Sequence, residues 1–144
     1  MVLKPEAVRA RLLKLEEVIS RLEELQSADP AGDFRDAWAV ERGLQLASEV
    51  VFDIGNHILS AHFGVSAQDY EDILEQLSTR AVIPAELRQQ LKGLGGFRNI
   101  LVHDYLRLDP TAIGEKLRQA PNDFSALAAA IRAWLDSLSE PPHA

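Results

Sequence analysis

The chain contains no cysteine. That excludes a disulfide framework, a cysteine nucleophile and thiolate metal sites. Long apolar runs are also missing. None reaches the roughly 18 residues that a membrane span needs. Arg9, Arg11, Lys14, Glu16 and Glu17 interrupt the stretch where a signal peptide would carry its apolar segment. The expectation is a soluble, cytoplasmic protein with no membrane partner. There is no Gly-rich phosphate loop and no Gly-x-Ser-x-Gly elbow. No Glu-x-x-His pair supports a di-iron bundle, and His57 and His62 fall off a common helix face. No metal or other cofactor is therefore expected. Positive charge is scarce: 15 Lys and Arg stand against 22 Asp and Glu, a net charge of −7. A broad basic nucleic-acid coat is excluded, whereas a local cleft built from a few arginines is not.

What is present is helical periodicity. At 144 residues and 47% hydrophobic, the chain suits one domain, 1–144, with a sizeable core. Val8, Leu12, Leu15, Ile19 and Leu22 mark one face of a first helix from about Pro5 to Gln26. A second helix, about Asp33 to Ala61, repeats Ala37, Val40, Leu44, Ala47, Val51, Ile54, Ile58 and Ala61. Leu46 and Val50 add a second apolar stripe to it, which suggests a central helix or one covered by a partner chain. Its polar side carries Glu49, Asp53, Asn56, His57 and Ser60. Ser66 and Asp69 resemble a capping box for a short third helix ending near Ser78. A fourth helix starts at Pro84 and a fifth at Asp109-Pro110, broken near Ala120-Pro121-Asn122 before a last helix from about Asp123 to Leu138. Trp38 and Trp134 are expected in the core, and the tail 139–144 is expected to be disordered. No strand alternation competes. The fold class is all-α, a bundle of about five to six helices.

The fourth helix carries the unusual residues. Its apolar register runs Leu87, Leu91, Leu94, Arg98, Leu101, Tyr105, so Arg98 occupies a position reserved for an apolar side chain. A guanidinium there needs a carboxylate, with Asp53 and Glu49 as candidates, or an anionic ligand such as an RNA phosphate. On one straight helix Arg98 and Tyr105 share a face, but Arg98 and His103 lie about 140° apart. Either the helix unwinds near His103, or two copies of the helix build the site across a two-fold axis, with Gly95 and Gly96 allowing close approach. A histidine serves as general acid or base near neutral pH and an arginine stabilises phosphorane-like charge, which suits metal-free RNA cleavage.

The stretch Gly95-Gly96-Phe97-Arg98-Asn99-Ile100-Leu101-Val102-His103-Asp104-Tyr105 reads Arg-x4-His-x-Tyr. It resembles the motif of HepT-like HEPN ribonucleases, the toxin halves of HEPN–nucleotidyltransferase toxin–antitoxin pairs. Asp109 and the stretches Ala39-Val40-Glu41-Arg42-Gly43-Leu44-Gln45 and Asp53-Ile54-Gly55-Asn56-His57-Ile58 extend the resemblance along the chain. It implies a HEPN-like bundle that forms a homodimer, with both motifs in a shared cleft and metal-independent RNA cleavage. It implies Arg98 and His103 as catalytic residues; on the chemistry of the residues themselves, Asn99, Tyr105 and Asp53 are expected to support the site or contact RNA. It further implies a minimal nucleotidyltransferase antitoxin, as in type VII-like systems, which adds AMP to Tyr105. Two other functions stay open on the residues alone: a non-enzymatic partner of a nucleotidyltransferase, and a nucleotide-binding module without hydrolysis.

Overall fold

The computed structural model describes residues 2–139. Six α-helices and one 3-10 turn form a bundle with no strand among the described residues: α1 (Pro5–Glu24), α2 (Phe34–Phe63), α3 (Tyr70–Thr79), α4 (Ala85–Gln90), α5 (Leu94–Val102), the turn Tyr105–Arg107, and α6 (Pro110–Ser139). The all-α expectation holds. Pro5 opens α1, where a missing N–H costs nothing. The Asp33 side chain caps α2 by accepting from Arg35 N at 2.8 Å. Asp109 caps α6 through Thr111 N at 3.1 Å. No helix among the described residues is long and apolar enough to cross a membrane.

The three long helices, α1, α2 and α6, pack against one another, and α3 and α5 cover another side of α2. The expected stripes are the core: Val8, Leu12, Leu15 and Leu22 of α1 and Val40, Leu44, Val51, Ile54 and Ile58 of α2 are all buried. A buried leucine or isoleucine contributes about 1.5–3 kcal/mol relative to exposure, and these stripes meet Ile113, Leu117, Phe124, Leu127 and Ile131 of α6. Leu46 and Val50 pack at the margin of this core.

Four expectations are corrected. The third helix starts at Tyr70, not Ser66: the Asp69 carboxylate accepts from Asp72 N at 2.7 Å, and the Asp72 carboxylate accepts from Gln68 N at 2.9 Å. The fourth helix is two helices, because Gly93 sits at φ 92 and turns the chain between α4 and α5. Leu87, Leu91 and Leu94 remain buried on both sides of that turn. Conversely, α6 runs unbroken through Pro121. Proline at 121 leaves the carbonyl of Leu117 without its helical donor, and the side-chain amide of Gln26, reaching across from the end of α1, donates to it at 3.0 Å. Lastly, Trp38 is 69% exposed and stacks edge-on against Phe34. It stands about 200° around α2 from Val40, on the side away from the core. Trp134 is half-buried against His62 and Phe63. Of the tail expected to be disordered, residues 140–144 lie outside the described residues, and Ser139 closes α6.

Candidate active site

Helix α5 is fixed at its start by α3. The Glu71 carboxylate accepts from Gly93 N at 3.0 Å and Gly95 N at 2.6 Å, two of the donors that a helix N-terminus leaves free. Arg88 of α4 steadies the same carboxylate at 3.4 Å and reaches Glu75 at 3.1 Å. A Cβ on Gly95 would stand 2.8 Å from both Glu71 Oε2 and Tyr70 Cβ, so only glycine lets α5 approach this closely. The close approach expected between two copies is thus made within one chain at Gly95, while Gly96 faces open space.

From that start, α5 presents Arg98 to α2. The Arg98 side chain is 12% exposed. Its Nε and Nη2 hold Glu49 Oε1 at 2.9 and 2.8 Å. Its Cζ lies 4.6 Å over the ring of Tyr70. The carboxylate alternative raised for Arg98 is therefore realised, with Glu49 rather than Asp53. The pair is not sealed: the Glu49 side chain is 41% exposed. The remaining guanidinium nitrogen, Nη1, donates to Asn99 Oδ1 at 3.3 Å and faces His103 Nε2 at 3.5 Å.

His103 reaches Arg98 because the helix stops. Val102 is the last residue of α5, and His103 caps it with its N–H on the Asn99 carbonyl at 2.8 Å. Of the two expected ways to join Arg98 and His103, the end of the helix is the one seen within the chain. For Nη1–H to donate, Nε2 must hold its lone pair, which puts the ring proton on Nδ1. The site thus presents a fixed cation beside an imidazole nitrogen, with the Asn99 amide bonded to the cation.

Tyr105 is not on the Arg98 face. It stands on the 3-10 turn, 75% exposed, beside Leu106 at 85%. The shared register fails because α5 has already ended. Asp53 is held by Arg11 of α1 at 2.7 Å. With Asn56, His57 and Ser60 it lines an open cavity of about 460 Å³, flanked by Val65, Ser66 and Ala67. A second cavity of about 350 Å³, lined by Asn56, Gln68, Asp69, Tyr70 and Asn99, adjoins it. No group of three His, Asp or Glu able to hold a metal occurs among the described residues. Sequence reasoning missed Tyr70 and Glu71. Only their position just after a cap residue marked them, and nothing local pairs them with α5.

Comparison with known proteins agrees with this architecture. A family described as "Ribonuclease HepT-like" matches residues 12–131. A tRNA nuclease HepT of Aphanizomenon flos-aquae is 29% identical over 123 residues, 85% of this chain and 83% of that protein. An mRNA nuclease HepT of Shewanella oneidensis is 31% identical over 101 residues, 70% of this chain and 76% of that one. Among solved structures, the tri-AMPylated Shewanella oneidensis HEPN toxin in complex with MNT antitoxin superposes with a TM-score of 0.77 at 26% identity. That match covers 88% of this chain and 96% of the toxin. With a match over most of its length, and with its Arg-x4-His-x-Tyr motif on the α5 end, this chain belongs to the HepT-like ribonuclease family.

Proposed function

We propose that this chain, as one domain over 1–144, is the toxin of a toxin–antitoxin pair and cleaves RNA without a metal ion. The observation that carries the reading is the meeting of Arg98 Nη1 and His103 Nε2 at 3.5 Å, beside Asn99 and at the edge of solvent. The imidazole Nε2 takes the proton of a ribose 2′-hydroxyl, and the 2′-oxygen attacks the adjacent phosphorus. The bond to the 5′-oxygen breaks, and the imidazolium returns the proton to that leaving oxygen. Arg98 stabilises the charge on the phosphorus oxygens during the step. A phosphate replaces Glu49 on part of the guanidinium fork, an exchange favoured by the exposure of Glu49. The Asn99 side chain orients Arg98, and its carbonyl accepts from the His103 N–H.

In the same reading the chain works in the cytoplasm as a homodimer that sets two such pairs in one cleft. A nucleotidyltransferase antitoxin adds AMP to Tyr105. The exposed hydroxyl of the 3-10 turn is open to such an enzyme, and AMP there adds bulk and negative charge that oppose RNA entry. The test is cleavage of labelled RNA in EDTA. His103→Ala is expected to lose about 100-fold or more, and wild-type rates in that variant would reject the assignment. The Arg98–Glu49 pair favours a second reading, a non-enzymatic partner of the nucleotidyltransferase. That reading requires a stable complex and no cleavage by the free, unmodified protein.

A further inference from the structure

We propose that the trough running from Asn99 to His57 is a nucleobase subsite, which seats a base of the RNA strand next to the phosphate held by Arg98. The inference rests on the ribonuclease reading and specifies what else the site binds. Two cavities make up the trough, of about 350 and 460 Å³, and they share Asn56 and Ala67 as a common wall. Each falls within the roughly 300–1,000 Å³ typical of small-ligand sites. Asn99 opens the first cavity and also accepts from Arg98 Nη1, so the trough begins at the catalytic pair itself. Asn56 follows Glu49 by two turns on the exposed side of α2, about 10 Å along the helix axis. That spacing places the trough beside the phosphate position.

The chemistry of the walls selects a base over a phosphate. Asn56, Asn99, Gln68 and Ser60 offer amide and hydroxyl groups that both donate and accept. Asp53 and Asp69 add carboxylates, which repel a phosphate and accept from an exocyclic amino group. Arg11 is already paired with Asp53, and Arg98, at the mouth of the smaller cavity beside Asn99 and Tyr70, is engaged by the phosphate in this reading. His57 Nε2 is buried and has no hydrogen-bond partner, a condition that costs about 1–3 kcal/mol in a protein interior. A turn of the ring toward the larger cavity would bring that nitrogen to the edge of a bound base. Single-stranded RNA is read in this way, with bases splayed out and bonded on their edges.

The experiment uses full-length Asn56→Ala, an exposed helix position that keeps the fold, and His57→Phe. Each is made both in the cleaving protein and with His103→Ala added to stop turnover. Affinities for short single-stranded RNAs differing at one base are read by fluorescence anisotropy. Each substitution is expected to weaken binding about tenfold for the preferred base, to raise KM more than it lowers kcat, and to redistribute the cut positions. Unchanged affinity, KM and cut positions in Asn56→Ala would overturn the subsite and leave the nuclease intact. Loss of dimer by light scattering, with RNA affinity unmoved at saturating protein, would assign the trough to a second copy instead. Absence of cleavage and of RNA binding in the unsubstituted protein would remove the ribonuclease reading, and the subsite with it.

Discussion

Replacing Glu71 by alanine removes the carboxylate that holds two backbone N–H groups at the start of α5. A hydrogen bond to a charged group contributes about 1.5–3 kcal/mol at best. The Glu71 side chain is 34% exposed, so water recovers part of the loss. Losses of this kind at helix N-caps run near 1 kcal/mol each, which gives a total of about 2 kcal/mol for the two donors. Arg88 keeps Glu75 and adds little to the cost. For a chain of this size the expected fall in Tm is on the order of 6–10 °C. Glu71→Gln retains one acceptor and is expected to lose about half as much. Urea unfolding of the two variants against the parent measures these differences. The same loosening lets α5 shift, which carries Arg98 and His103 with it, so RNA cleavage is expected to fall more in kcat than in KM. Stability within about 0.5 kcal/mol of the parent in Glu71→Ala, with unaltered cleavage, would refute the claim that this carboxylate positions the helix.

Three further outcomes are expected. Gln26→Ala strands the Leu117 carbonyl and should cost about 1–3 kcal/mol in chemical denaturation; in a Pro121→Ala background the helix supplies its own donor, so the cost should shrink, and equal costs in both backgrounds would contradict the bridge. Glu49→Gln weakens the carboxylate pair of Arg98 and should tighten RNA binding several-fold in anisotropy; weaker binding would show Glu49 to be needed for the site. Bonds from Gln68 N and then Gln76 hold the Asp72 carboxyl below its ordinary range. Its contribution to stability is thus present above the unfolded pKa of about 3.9 and is lost as pH falls through the lower folded value. Asp72→Asn should flatten the acid limb of the stability profile, and an identical limb would count against this source.

The long helices were legible because their apolar stripes are strictly periodic: Val8 to Leu22 and Val40 to Ile58 bury as their spacing requires. The motif was legible because a guanidinium at an apolar position demands a partner, and Glu49 was among the two carboxylates named for it. What periodicity could not show was where the pattern stops. Leu87 to Leu94 keeps its spacing across Gly93, although a left-handed residue interrupts the helix there. Pro121 looks like a break because its remedy, Gln26, stands far away in sequence. Trp38 is apolar but off the stripe, and spacing alone did not separate the two cases. Tyr70 and Glu71 act on α5 from another helix, a contact that no local signal announces.

The most direct test concerns whether Arg98 and His103 act together within one chain. Two kinds of mixed dimer are purified with different tags. One joins an unsubstituted chain to a chain carrying both Arg98→Ala and His103→Ala. The other joins an Arg98→Ala chain to a His103→Ala chain. With the 3.5 Å pairing inside the chain, the first dimer should cleave RNA and the second should not. Cleavage by the second and none by the first would contradict it, since the working pair would then span two chains.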